Sequence, residues 1–146
     1  METEAISGTR AWTRSEFKRR PVVLVVDDDL DARIIYRQYL TRMGCRVVTA
    51  PDGLKAIAKA KTCRPDVIVM DLLMPRLDGW EATARLKQSR RTKHIPVIAL
   101  SAVQTSRDRA RAAGCDGFLA KPCSPELLWW EVRVLIGTSN ELGSGE

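Results

Sequence analysis

The feature that most limits the possible folds of this chain is an apolar run that ends in a carboxylate. Residues 67–70 are β-branched or long apolar residues, and Asp71 follows them directly. A continuous apolar run of this length is typical of a strand that is covered on both faces, as in a parallel sheet flanked by helices. Ligands of such sheets bind at the carboxyl ends of the strands. The sequence therefore predicts that Asp71 lies at a binding edge and carries the chemistry.

Three other apolar runs also end in polar residues. Residues 22–26 precede a triplet of aspartates, residues 97–100 precede a serine, and residues 118–120 precede a lysine. The polar residues that follow these runs are Asp27, Asp28, Asp29, Ser101 and Lys121. If the runs are parallel strands of one sheet, we expect these side chains to converge on Asp71 from separate parts of the chain.

Size and charge restrict the class of protein. A chain of 146 residues is long enough for one domain with a real core and too short for two domains of ordinary size. The net charge of +6 permits contact with an acidic partner or with phosphates. The basic residues are scattered and no aromatic-rich basic motif accompanies them, so we expect no direct binding of nucleic acid.

Cysteine spacing and hydropathy indicate the compartment. The four cysteines have no CxxC spacing and the single histidine is far from them in sequence, so a zinc site is not expected. They are interpreted as reduced core residues of a cytoplasmic protein. The first twenty residues contain no apolar signal region, and no apolar run approaches the roughly 20 residues that span a bilayer. We therefore expect no membrane association.

Segments with helical periodicity alternate with the apolar runs. The pattern predicts a helix over residues 30–43, a helix over residues 54–62 and a final helix that starts after Ser124 and ends at Gly137. The apolar residues at helical spacing are Ile34, Ile35, Tyr39 and Leu40 in the first helix and Leu54, Ile57 and Ala58 in the second. A short strand is also predicted over residues 45–49, and two further helices are predicted, one from Gly79 to about Gln88 and one over residues 106–113. Five strands that alternate with five helices predict a doubly wound α/β sandwich.

The predicted domain occupies residues 21–137. Residues 1–20 are rich in arginine and lysine and show no sustained period, so they are predicted to form a mobile basic arm. Residues 138–146 are rich in Ser, Gly, Glu and Asn and are predicted to be a flexible tail.

Four motifs make residues 21–137 resemble the receiver domain of two-component response regulators. They are VVDD (25–28), MDLLMP (70–75) with DG (78–79), LSA (100–102) and GFLAKP (117–122). The resemblance implies a flavodoxin-like five-stranded parallel sheet with strand order 2-1-3-4-5 and five helices. Ser101, Phe118 and Cys123 depart modestly from the family, which more often has Thr, Tyr and an aromatic residue at these positions.

The resemblance also implies a phosphoacceptor site. Asp71 would take a phosphoryl group from a histidine kinase, a histidine phosphotransfer protein or a small phosphodonor. Mg²⁺ would be held by Asp28, Asp71 and the backbone carbonyl of Leu73, with Asp27 helping directly or through water. Ser101 would bind a phosphoryl oxygen, Lys121 would pair with the phosphate, and Phe118 would change rotamer as Ser101 is drawn inward. Such a domain catalyses its own phosphorylation and dephosphorylation and does not turn over an external substrate.

The final helix carries two apolar stripes. Leu128, Val132 and Leu135 should face the core, with Trp129 and Ile136 alongside. A second stripe, formed by Leu127, Trp130 and Val134, is predicted to be an exposed patch. The resemblance places this patch on the face where receivers dimerise or meet a downstream protein partner.

Two other functions fit parts of the sequence. The aspartates 27–29 after a strand also resemble the nucleophile motif of haloacid-dehalogenase-type phosphatases, which use aspartyl-phosphate and Mg²⁺, but that assignment leaves Asp71 unexplained. The second alternative is a receiver-like interaction module that is never phosphorylated.

Overall fold

The computed structural model describes residues 19–74, 76–102 and 106–144, along which strands and helices alternate. In chain order they are β1 (Val22–Val26), α1 (Leu30–Arg42), β2 (Arg46–Ala50), α2 (Gly53–Cys63), β3 (Val67–Asp71), α3 (Gly79–Gln88), β4 (Val97–Ser101), α4 (Ser106–Ala113), β5 (Gly117–Ala120) and α5 (Pro125–Ser144).

Within the described part of the chain, the five strands form one parallel sheet with the order β2-β1-β3-β4-β5. Asp71 at the end of β3 pairs in register with Leu100 of β4, and Ser101 pairs with Ala120 of β5. The carboxyl ends of these strands therefore share one edge, which brings residues from distant parts of the sequence together. The predicted fold class and strand order are confirmed.

Alternate strand residues enter two separate cores, one on each face of the sheet. On one face, Val23, Val69 and Leu100 pack with α1 and α5, whose Trp129 is fully buried. On the other face, neighbouring strand residues pack with α2, α3 and α4, mostly against small side chains such as Ala56. Both faces of the sheet are covered, which explains why β1, β3 and β4 are fully buried and mostly apolar.

The apolar residues at helical spacing in α1 and α2 do not all face the core. In α1 the buried residues are Tyr36 and Leu40, four positions apart, whereas Ile34 and Ile35 are 42% and 52% exposed. In α2 the buried residues are Gly53, Ala56 and Ala60, and Leu54 is 52% exposed. The small residues Gly53, Ala56 and Ala60 let α2 pack close to the sheet. The face of α2 that is buried is therefore the face with small side chains and not the face with the largest apolar ones.

The predicted end of α5 is also wrong, because the helix continues through Gly137 to Ser144. A glycine inside a helix costs only about 1 kcal/mol relative to alanine, which the flanking residues can offset. The predicted flexibility of residues 138–146 stays a prediction. Residues 1–18 of the predicted basic arm lie outside the described residues, and Arg19 forms an ion pair with Asp66 (2.8 Å). Of the helices in the described part of the chain, none combines the length and the hydropathy that crossing a membrane requires.

Candidate phosphoacceptor and metal site

Three carboxylates meet at the carboxyl edge of the sheet. Asp71 is the last residue of β3, and Asp27 and Asp28 directly follow β1. One carboxylate oxygen from each residue lies within 4.8 Å of the other two. Asp27 and Asp71 are buried, at 1% and 4% exposure, while Asp28 is exposed. The cluster thus presents hard oxygen donors of the kind that Mg²⁺ prefers, with one open side.

Lys121 brings a positive charge to two of these acids. It follows β5, and its Nζ lies 3.1 Å from Asp27 Oδ2 and 3.4 Å from Asp71 Oδ2. Burial lowers the pKa of Lys121, but the hydrogen bond to Asp27 and the negative charges of Asp71 and Asp27 outweigh that effect and leave the pKa raised. Lys121 is therefore a fixed ammonium at the acid cluster.

The pKa of the Asp71 carboxyl group is raised above its ordinary value. Its burial and the negative charge of Asp27 raise its pKa to about 6, although Lys121 and a hydrogen bond from the Leu73 backbone N–H (3.2 Å) act in the opposite direction. The group is still mostly ionised at neutral pH, so its oxygens are available as a nucleophile.

The segment that carries the acids is held by local hydrogen bonds. The Asp27 side chain accepts from the backbone N–H of Asp29 (2.9 Å), and Asp29 in turn caps α1 by accepting from the N–H of Asp31. The Arg33 guanidinium donates to the backbone carbonyl of Asp27 (2.6 Å). Helix capping therefore falls to Asp29, and the Asp28 carboxylate belongs to the acid cluster.

Ser101 and Phe118 lie on the strands next to this cluster. Ser101 is buried at the end of β4, and its backbone carbonyl accepts a hydrogen bond from the backbone N–H of Lys121 (2.9 Å). Phe118 is partly buried on β5, with the Arg107 guanidinium 5.0 Å from its ring centroid. Ser101 is thus joined to the segment that carries Lys121, while the switching role of Phe118 stays a prediction.

The predicted surface patch lies on α5 and is not part of the acid cluster. Leu127, Trp130 and Val134 are 47%, 45% and 44% exposed. The other stripe of the helix is buried, with Leu128 and Val132 fully enclosed. The role of the patch as an interface stays a prediction.

Sequence reasoning gave no role to Arg33 or Tyr36, and it placed Gly79 in a motif without recognising its contact with the site. Arg33 supports the carbonyl of Asp27, and the Tyr36 hydroxyl donates to the carbonyl of Cys123 near Lys121. Gly79 packs against the backbone of Asp71 so closely that a Cβ would collide with it. The only sequence signals were the position of Gly79 after an aspartate and the spacing of Tyr36 four residues before Leu40.

Comparison with known proteins identifies the family. A family model described as "Response regulator receiver domain" matches residues 23–133. This chain belongs to that family. Receiver domains are signalling modules of two-component systems and do not turn over an external substrate, and the match does not favour a phosphatase of the haloacid-dehalogenase type.

Several proteins related to this receiver differ in length. It is 41% identical over 114 residues to protein PilG of Pseudomonas aeruginosa, an alignment that covers 77% of this chain and 84% of PilG. It is 33% identical to the DNA-binding transcriptional regulator RpaA of Synechocystis, where the alignment covers 84% of this chain but only 52% of RpaA. The receiver therefore spans most of one relative and about half of the other.

Solved structures of similar domains have the same fold. The chemotaxis protein CheY4 of Vibrio cholerae superposes with a TM-score of 0.75 at 32% identity, covering 80% of this receiver and 98% of that chain. The receiver domain of a Pseudomonas aeruginosa sensor histidine kinase gives the same TM-score and identity, covering 81% and 98%, and holds a magnesium ion in its active-site cleft. That ion is bound by a receiver domain with the same fold, and the carboxylates of this receiver present the oxygen donors that Mg²⁺ prefers.

Proposed function

We propose that this receiver takes a phosphoryl group onto Asp71, in an Mg²⁺-dependent transfer from the phosphohistidine of a histidine kinase or a histidine phosphotransfer protein. Phosphorylation then alters the face formed by α4, β5 and α5, which binds a downstream protein or a second copy of the chain. One observation carries the proposal: the Asp71 carboxylate sits at the carboxyl edge of the sheet, between two further acids and the ammonium of Lys121.

The transfer requires a nucleophile whose charge is compensated. A P–O bond forms between a carboxylate oxygen of Asp71 and phosphorus, while the P–N bond of the phosphohistidine breaks and its electron pair returns to the imidazole nitrogen. Both the carboxylate and the phosphoryl group are anionic, so the reaction needs cations fixed in advance at the site. Lys121 lies 3.4 Å from Asp71 and supplies one of them.

The acid cluster would supply the second positive charge by holding Mg²⁺. Asp28 and Asp71 would be ligands together with the backbone carbonyl of Leu73, and Asp27 would assist directly or through water. Three carboxylate oxygens within 4.8 Å suit an ion that takes few carboxylates and keeps several waters. When bound, Mg²⁺ offsets the negative charge that accumulates on the reacting oxygens.

The remaining polar and aromatic residues would sense the phosphoryl group. The hydroxyl of Ser101 would bind a phosphoryl oxygen, and Phe118 would turn inward when Ser101 moves. The backbone carbonyl of Ser101 accepts a hydrogen bond from the N–H of Lys121, so a displacement of Ser101 would also move the Lys121 segment. The apolar patch of Leu127, Trp130 and Val134 gives the responding face a surface that a protein partner can cover.

Intact-mass analysis after incubation with Mg²⁺ and phosphoramidate tests the proposal. The wild-type chain should gain one phosphoryl group, and Asp71→Asn should gain none. Asp31→Asn is the matched control, because Asp31 is an exposed acid in the first turn of α1, outside the acid cluster. Labelling of Asp71→Asn would overturn the assignment, and an unlabelled wild-type chain would favour the unphosphorylated interaction module.

A further inference from the structure

A buried tyrosine connects α1 to the segment that carries Lys121. The Tyr36 hydroxyl donates a hydrogen bond to the backbone carbonyl of Cys123 (2.8 Å), and Tyr36 is only 7% exposed. A phenylalanine would fill the same space, so packing alone does not require the hydroxyl. A buried hydroxyl without a partner is costly, and a buried carbonyl is costly for the same reason. The bond therefore fixes the distance between two elements that are far apart in sequence.

The carbonyl that Tyr36 binds belongs to the short connection between β5 and α5. At the start of this connection, the backbone N–H of Lys121 donates to Ser101 (2.9 Å). At its end, the Ser124 hydroxyl accepts from the N–H of Leu127 (3.2 Å) and caps α5. Cys123 lies between these two fixed points, so Tyr36 supplies an anchor from α1 in the middle of the connection.

The same helix is tied to the acids at its other end. Asp29 caps α1, and Arg33 donates to the backbone carbonyl of Asp27 (2.6 Å). One rigid helix thus contacts both the segment with the acids and the segment with the ammonium. Burial raises the pKa of Tyr36 to about 12, so its hydroxyl keeps the proton that this bond needs throughout the neutral range.

We propose that Tyr36 is a positioning residue for phosphoryl binding: by holding the Cys123 carbonyl, it keeps Lys121 directed at Asp71. The inference rests on the proposed function and adds to it a residue that lies outside the acid cluster. The hydrogen bond of the Tyr36 hydroxyl is made to the Lys121 segment, so its removal should lower the affinity for the phosphoryl group far more than the affinity for Mg²⁺.

The chain offers a matched control, because its two tyrosines lie one turn apart on α1. Tyr39 is half-buried, and its hydroxyl makes no hydrogen bond to any residue that the structure describes. Tyr36→Phe and Tyr39→Phe therefore remove the same atom, but only the first change removes a bond to the Lys121 segment. Both variants keep the aromatic ring, and the packing of α1 on the sheet is retained.

The affinity for beryllofluoride, a phosphoryl mimic, should be measured in saturating Mg²⁺, and the Mg²⁺ affinity should be measured separately by calorimetry. We expect Tyr36→Phe to weaken beryllofluoride binding about tenfold, because a small displacement of the Lys121 ammonium weakens its interaction with the bound anion. The Mg²⁺ affinity should stay within about twofold of wild type. Tyr39→Phe should match wild type in both. Equal beryllofluoride affinities in all three proteins, or a parallel loss of Mg²⁺ affinity in Tyr36→Phe, would overturn the inference.

A second measurement uses the wild-type sequence with 3-fluorotyrosine incorporated in place of tyrosine. This places one fluorine label at Tyr36 and one at Tyr39, the two tyrosines of the chain. Beryllofluoride should shift the ¹⁹F signal of Tyr36 and leave that of Tyr39 in place, since only Tyr36 is bonded to the Lys121 segment. Binding without a shift at Tyr36 would contradict the inference alone. A wild-type chain that binds Mg²⁺ but no beryllofluoride would overturn the proposed function, and this inference with it.

Discussion

The ammonium group of Lys121 lies 3.4 Å from Oδ2 of Asp71, although Asp71 ends β3 and Lys121 follows β5, two strands that are not neighbours in the sheet. The same ammonium is 3.1 Å from Asp27 Oδ2. Lys121 thus neutralises carboxylates that would otherwise repel each other, and it occupies the side from which a phosphoryl group would be bound. A cation in this place is suited to binding the anionic phosphoryl group, whereas the proposed Mg²⁺ ligands are carboxylate and carbonyl oxygens.

Removal of Lys121 should therefore separate phosphoryl binding from metal binding. In Lys121→Ala we expect weaker beryllofluoride binding, with Mg²⁺ affinity equal to or above that of wild type, and Ser101→Ala should behave similarly. Asp28→Ala removes a proposed ligand and should lower Mg²⁺ affinity about tenfold or more, equivalent to about 1.4 kcal/mol or more. Calorimetric titration with Mg²⁺ measures the difference. Equal loss of Mg²⁺ affinity in all three variants would contradict these roles.

Asp71→Asn should stabilise the metal-free domain at neutral pH. The folded domain holds a proton on Asp71 more tightly than the unfolded chain, because burial and Asp27 raise the pKa from 3.8 to about 6. The protonated Asp71 side chain contributes fully to the free energy of unfolding below pH 3.8, and this contribution is lost as the pH rises through about 6. Asparagine does not ionise, so Asp71→Asn does not lose stability in this range. We expect the variant to be more stable by about 1–3 kcal/mol above pH 7 and the difference to vanish below about pH 4.

Urea unfolding in EDTA at several pH values measures this dependence. The matched control is again Asp31→Asn, an exposed acid, which should not reproduce the pH dependence. A stability difference for Asp71→Asn that is the same at low and neutral pH would show that the raised pKa is not its cause.

Much of this fold and site follows from periodicity. Four apolar runs identified β1, β3, β4 and β5, and the polar residues after these runs pointed to Asp71, Asp27, Ser101 and Lys121, because parallel strands end at one edge. The buried face of α1 could not be predicted in the same way, since that helix has apolar residues on more than one side. Contacts that depend on the exact placement of a helix, such as that of Tyr36, leave no periodic signal in the sequence.

Gly79 is predicted to be essential to the geometry of the acceptor. A Cβ at this position would collide with the Asp71 carbonyl oxygen and lie 2.7 Å from the Cα of Leu72. Gly79→Ala should therefore displace the backbone of Asp71, slow phosphorylation and lower the free energy of unfolding by about 1–3 kcal/mol. Gly137 is the control: a Cβ there meets nothing within 4 Å, and Gly137→Ala should stabilise α5 by up to about 1 kcal/mol. Wild-type stability and labelling in Gly79→Ala would refute the prediction.

Leu73 is predicted to make the phosphorylated form long-lived. Its side chain is 47% exposed, two positions after Asp71, and has no polar group to orient an attacking water. Because positioning of the nucleophile strongly affects such a reaction, Leu73→Asn should accelerate dephosphorylation, by roughly tenfold. Leu54→Asn replaces another half-exposed leucine, on α2, and should leave the rate unchanged. The decay of the phosphorylated mass after removal of phosphodonor gives the rate, and an unchanged or slower decay in Leu73→Asn would contradict the hypothesis.

Trp130 is predicted to be the central contact of a surface through which the chain self-associates more strongly when it is phosphorylated. It is 45% exposed on α5 between Leu127 and Val134, and an exposed tryptophan within an apolar patch is typical of binding hot spots. We expect Mg²⁺ and beryllofluoride to promote self-association of the wild-type chain, and Trp130→Ala to weaken it about tenfold or more, equivalent to at least about 1.4 kcal/mol, without loss of fold.

Sedimentation velocity with and without beryllofluoride measures the change. Ile35→Ala removes an apolar side chain of similar exposure from α1 and should associate as wild type does, because Ile35 does not belong to the α5 patch. Circular dichroism of Trp130→Ala checks that the domain remains folded. We expect it to, because the tryptophan that is fully buried in the core is Trp129 and not Trp130. If the wild-type chain stays monomeric with the mimic, or Trp130→Ala associates as strongly as wild type, the patch is not a self-association surface.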